Sequence, residues 1–368
     1  MEQAERLRGE TEAVWATVAC FLVGAVAGFL SLAGTTRRLT GEGALAPTLA
    51  VIAGLVSSAA FVASSLRHRR GETAPMPRWQ TAVSHFSSGA LTLAFGAVAM
   101  MGVLLAAEVL AAGLEGIELD ALGGAALSGV AAAVGGRLAF GAGTGLRTAD
   151  LAALLFAFLI IGTLFAMVTA ADPRWWEQNF SQLGVGWAFN GTLVVAGLLV
   201  ATVGAYIGRD LHRMLGDGAL GRIALVVGLW GAAGVALAAV GLLPLHRVPV
   251  PHDIAAFATL VLFLAASVWT TVVVPDTPRA LLLTSVGVGV LVVVAVVLWI
   301  PFELYTATVL EAVVVGLGLL WMATLVRVLA ILAPDDSRPS ARASLLPRRS
   351  SVPGQANAGE QAAGDGLA

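Results

Sequence analysis

Residues 172–191 read D-P-R-W-W-E-Q-N-F-S-Q-L-G-V-G-W-A-F-N-G, and apolar runs at 149–171 and 186–207 flank and overlap them. Polar, aromatic and charged side chains crowd into one short connector between two segments long enough to cross a bilayer. Asp172 suits a helix N-cap, Pro173 suits the first helical position, and Gly184 suits a stop. Trp176, Phe180 and Leu183 recur at i, i+4 and i+7, opposite Arg174, Glu177, Gln178 and Ser181. The spacing predicts a short amphipathic helix at 173–183 lying in the membrane interface, with its indoles at headgroup depth. An aromatic belt with a capped connector explains this stretch without further function. The functional alternative is a lid or floor over a polar site.

The rest of the chain agrees with that reading. It is 58% hydrophobic and 12% charged over 368 residues, against about 25% charged in soluble domains. Ten apolar segments stand out, at approximately 13–33, 44–66, 86–112, 122–146, 149–171, 186–207, 220–243, 253–274, 280–300 and 307–332. The predicted class is therefore all-α, a polytopic transmembrane bundle of about ten spans over 13–332. A segment at 1–12 precedes it, and a Pro-, Ser- and Gly-rich tail at 333–368 follows, too poor in apolar residues to bury a core.

All 21 basic residues are arginine, and with Ala, Gly, Val and Leu so abundant the composition suggests a bacterial source. Ten spans with the N-terminus inside leave only Arg37, Arg38, Arg174 and Arg247 on outer segments and Arg137 within a helix. The remaining arginines fall on inner segments, as the positive-inside rule requires. The expected location is the cell membrane, with both termini cytoplasmic. Removing the Gly-rich fourth span would put the Arg-rich tail outside, so parity favours keeping it. Arg137 is expected to snorkel to the inner headgroups. The N-terminus has no cationic start or cleavage site, so the first apolar segment is expected to be retained.

Several classes of function find no support. A net charge of −2 provides no basic field for nucleic acid. Cys20 is the single cysteine, so no intrachain disulfide forms. Gly141, Gly143 and Gly145 lack the strand and lysine of a phosphate loop, while Gly24/Gly28 and Gly204/Gly208 fit close helix packing.

The candidate site is the polar belt on the outer side: Asp172, Glu177, Asn179, Ser181, Asn190, His246, His252 and Asp253. Glu303, Tyr305 and Glu311 sit near the same level, at the outer end of the last hairpin. Ionisable groups at membrane depth are costly unless paired or hydrated, and so draw attention to function. His246, His252, Asp253 and Glu177 carry the donor atoms that Zn²⁺ accepts. The H-x5-H spacing is no helical metal pair and no H-E-x-x-H occurs, so neither metal nor cofactor is expected. Asp253 after Pro251 suits the N-cap of the eighth span, and His252 suits a hydrogen bond across the outer turn.

The order N-F-S-Q-L-G (179–184), A-F-N-G (188–191), V-G-L-L-P (240–244) and His252 resembles a family of bacterial multi-pass membrane proteins, domain of unknown function 998. Its members carry an N-x-S-x-L-G element, a following F-N, a G-L-F-P-like helix end and a His soon after. The resemblance covers about 149–330. Gln182 stands where the family often has an acidic or small residue, and Leu243 stands where it often has Phe. The family brings no assigned activity. It implies that Asn179, Ser181, Asn190 and His252 form one outer constellation.

Three functions fit these observations. The first is binding or movement of a lipid headgroup or small polar solute at the outer face. The second is a structural or accessory role. The third, ranked below both, is an outer-face hydrolase using His252, Asp253 and Ser181 or a metal, so a non-enzymatic role is expected ahead of an enzymatic one.

Overall fold

The computed structural model describes residues 2–68, 78–114 and 116–333. Among them are ten α-helices: α1 (Glu2–Leu32), α2 (Ala46–His68), α3 (Arg78–Gly113), α4 (Ala121–Thr144), α5 (Thr148–Val168), α6 (Trp187–Leu215), α7 (Leu220–Leu242), α8 (Pro249–Val273), α9 (Arg279–Trp299) and α10 (Ala307–Leu332). Each is long and apolar enough to span a membrane. The expected tail lies, from residue 334 on, outside the described residues.

The side chains face outward as a bilayer requires. On α9, Leu283, Val286, Val290 and Val293 form an exposed apolar stripe at helical spacing. In water such a stripe would be a large unfavourable patch, whereas lipid covers it without cost. The buried side of the bundle holds Trp230, Phe158, Leu199 and Leu325 instead.

Helix α4 packs against α1 and α2, and α2 against α3, making a four-helix N-terminal group. Helices α6 and α7 form the spine of the second group, with α5, α8, α9 and α10 around them. The long α3 joins the groups by packing on α5 and α6. The fourth span is present, its N-terminus capped by Asp120, whose carboxylate accepts from the Gly123 N–H at 2.8 Å. At that end a two-residue antiparallel pairing of Arg37–Arg38 with Glu118–Leu119 ties the α1–α2 loop to the α3–α4 loop.

Glycines set the helix spacing. A Cβ on Gly24 would lie 2.4 Å from the Ala132 Cβ, and one on Gly28 would lie 2.6 Å from the Ser128 Cβ, so α1 and α4 touch through backbone. Gly204 and Gly208 make the corresponding approach of α6 to Trp230 and Val227 of α7.

Two expectations need correction. Helix α1 runs back to Glu2, through the segment at 1–12. That extension places Glu10 within 2.8 Å of Arg137, whose guanidinium is ion-paired rather than only snorkelling. The stretch at 173–183 is not one α-helix. It is two 3₁₀ turns, Trp175–Glu177 and Phe180–Val185, separated by fully extended backbone at Asn179 (φ −161°, ψ 165°).

Candidate functional site

The connector begins with an Asx turn: the Asp172 carboxylate accepts from the Arg174 N–H at 2.8 Å. Trp175 of the first turn packs against Phe180 of the second, with ring centroids 5.2 Å apart. The first turns of α10 hold both pieces. The Thr308 hydroxyl donates to the Trp176 carbonyl at 2.8 Å. The Phe180 N–H donates to Oε2 of Glu311 at 2.7 Å. These bonds satisfy backbone groups that one continuous helix would have paired internally.

Helix α8 contributes His252. Its helix starts at Pro249, where proline's missing N–H costs nothing, so His252 falls in the first turn and Asp253 is not the N-cap. Nδ1 of His252 donates to the Leu243 carbonyl at 2.7 Å, across the turn between α7 and α8. A carbonyl only accepts, so the proton of the neutral ring sits on Nδ1. Nε2 then accepts from the Ser181 hydroxyl at 2.9 Å. The ring is 4% exposed, and Glu311 stands close enough for its charge to interact with it.

Asn190, in the first turn of α6, joins the connector to the bundle. Its Nδ2 donates to the Gly184 carbonyl at 2.8 Å and to the Gly186 carbonyl at 3.3 Å. Glycine is required beside it. A Cβ on Gly241 of α7 would lie 2.4 Å from the Asn190 carbonyl oxygen, and one on Gly184 would lie 2.9 Å from its Oδ1. The neighbouring Asn179 differs from the others: its Oδ1 is buried and has no hydrogen-bond partner among the described residues.

The connector, α6, α8 and α10 thus bring Asn179, Ser181, Asn190 and His252 to one end of the bundle. Asp172, Glu177, His246 and Asp253 are exposed at that end and make no bond to these four. Among the described residues no three His, Cys, Asp or Glu side chains are grouped to hold a metal ion. The two residues the sequence reading left out of the site are Glu311 and Thr308. A carboxylate four residues inside a spanning segment was the available signal for Glu311, because such a group requires a partner. Thr308 carried none.

Residues 151–328 match the family model described as protein of unknown function, DUF998. The second half of the chain is a DUF998 domain. Every residue of the polar cluster lies inside the matched segment. No curated protein and no solved structure matches the chain.

A second polar cluster lies at the opposite end of α6, in its last turns, and reaches Leu146 and Thr148 just before the matched segment. Asp210 is 5% exposed. Its carboxylate accepts from the Thr148 hydroxyl at the start of α5 and pairs with Arg209 at 3.1 Å, with Arg213 at 3.9 Å. Arg209 also lies over the Tyr206 ring, 4.4 Å from its centroid, and reaches the Leu146 carbonyl at 3.4 Å. Read from sequence, these arginines served orientation alone. Here they neutralise a buried acid that fastens α5 to α6.

His252→Ala is expected to cost about 1–3 kcal/mol, because it orphans the Leu243 carbonyl and removes the acceptor of Ser181. The connector should loosen with it. Tryptic cleavage at the exposed Arg174 should accelerate in the variant, and an unchanged rate would show that His252 does not hold the connector.

Proposed function

We propose that the DUF998 half engages a hydrogen-donating polar group, a lipid headgroup or a small polar solute, where the connector meets α6, α8 and α10. The observation that carries this is the buried, unpartnered Oδ1 of Asn179, next in sequence to the Phe180 N–H held by Glu311. A buried carbonyl without a partner costs about 1–3 kcal/mol, and a ligand N–H or O–H removes that cost. The nearby carboxylate favours a donor with positive charge. Trp175 and the half-exposed Trp176 support placement at headgroup depth. In the same reading the protein sits in a bacterial cell membrane with both termini cytoplasmic, which the arginine distribution supports.

A structural or accessory role is the second reading. Ser181, Asn190, His252 and Thr308 all bond within the chain, as a pure fastening of the connector would require. Melting in nanodiscs separates the two. Phosphatidylethanolamine offers ammonium N–H donors and phosphatidylcholine offers none. Binding predicts a higher Tm in phosphatidylethanolamine, and loss of that difference in Asn179→Ala without a fall in the phosphatidylcholine Tm. Equal Tm values in both lipids, with a large drop in the variant, would favour the fastening role.

A further inference from the structure

We infer that Ser181 and His252 form a nucleophile–base pair that cleaves a carboxylic ester of a membrane lipid, an activity resting on the binding site proposed above. The pair has the geometry that activates a serine: Oγ lies 2.9 Å from Nε2, and the far ring nitrogen is fixed by a carbonyl at 2.7 Å. The Leu243 carbonyl takes the orienting place that a carboxylate holds in a catalytic triad. It locks the tautomer in which Nε2 has a lone pair facing Ser181. Glu311 stands near enough to the ring for its ionised form to stabilise the imidazolium when that forms. Asp253 has no part in this, being exposed and outside the pair.

Location suggests the substrate. Ser181 is half-buried on the second connector turn, between the indole-bearing first turn and the bundle. Indoles settle at headgroup level, and the ester linkages of a lipid lie just below it, between headgroup and acyl chain. The unpartnered Asn179 carbonyl, two residues before Ser181, would hold the donor-bearing headgroup.

The reaction balances with water as co-reactant. Ser181 Oγ bonds to the ester carbonyl carbon while its proton passes to Nε2. The C–O bond to the alcohol breaks, and the alcohol leaves with the proton from Nε2. Water then attacks the acyl-serine and gives a proton to Nε2. The C–Oγ bond breaks, Ser181 recovers a proton from Nε2, and a carboxylic acid is released.

The test uses the full chain in nanodiscs treated with a fluorophosphonate probe and mapped by peptide mass spectrometry. Labelling is expected at Ser181 and not at Ser31, an exposed serine whose hydroxyl donates to the Ala27 carbonyl and, among the described residues, has no histidine partner. His252→Gln should slow labelling at least 100-fold while still melting cooperatively. An unlabelled Ser181 in folded wild-type protein overturns the inference, as does unchanged labelling in His252→Gln. If that variant does not fold, wild-type labelling of Ser181 over Ser31 decides alone. A phosphatidylethanolamine-dependent Tm without labelling overturns this activity and leaves the binding reading standing. Absence of both overturns both.

Discussion

Gly234→Leu is expected to abolish the folded protein. Helices α6 and α7 form one of the two most extensive helix pairs among the described residues, and at this point they touch backbone to backbone. A Cβ on Gly234 would lie 2.4 Å from the Gly197 carbonyl oxygen and 2.8 Å from the Ala201 nitrogen, and one on Gly197 would lie 2.4 Å from the Gly234 oxygen. No flexible side-chain end is available to move aside. Within lipid, helices associate through packing and hydrogen bonds rather than through exclusion of water, so separating this pair removes its main attraction. Ordinary overpacking costs about 1–3 kcal/mol, and a leucine here should exceed that range. Gly231 lies one turn earlier on α7 and has open space around it. Gly231→Ala should be neutral or gain about 1 kcal/mol from helix propensity. Detergent size-exclusion and melting of the two variants check the contrast, and a monodisperse Gly234→Leu with wild-type Tm would refute it.

Asp210→Ala is expected to cost about 3–5 kcal/mol, the penalty for breaking a buried ion pair from one side. The side chains of Asp210 and Arg209 are 7% and 20% exposed, so solvent screens them little. Removing the acid leaves arginine charge buried at the foot of α6 and deprives the Thr148 hydroxyl of its acceptor. The exposed pair Arg38–Glu118, with side chains 73% and 55% exposed at 3.7 Å, supplies the comparison. Glu118→Ala should change stability by less than about 1 kcal/mol. Melts of both variants at one salt concentration read the difference, and a small Asp210→Ala effect would mean that water reaches the cluster.

The fold was legible because each span is a long apolar run, and the arginine distribution selected ten of them. The connector was not, although Trp176, Phe180 and Leu183 do fit a helical period. Its conformation is set by Thr308 and Glu311, well over a hundred residues away, which capture the Trp176 carbonyl and the Phe180 N–H. A local pattern contains no trace of such partners. Asp253 after a proline looked like a cap, but Pro249 starts the helix earlier. Arg137 looked solitary because Glu10 is 127 residues away in sequence, and helix α1, which runs back to Glu2, brings the two together. Asn179, Ser181, Asn190 and His252 were grouped by motif order, and the structure brings them to one end of the bundle. His246 and Glu177 were grouped by depth alone. Depth does not determine direction, and both remain exposed at that end.

The most direct test of the central claim, a donor-binding site at Asn179, is native mass spectrometry of the protein released gently from its membrane. A stoichiometric lipid or solute bearing N–H or O–H groups is the predicted result, absent from Asn179→Ala. A clean apo mass for the wild-type chain, or an adduct retained equally by the variant, would contradict it.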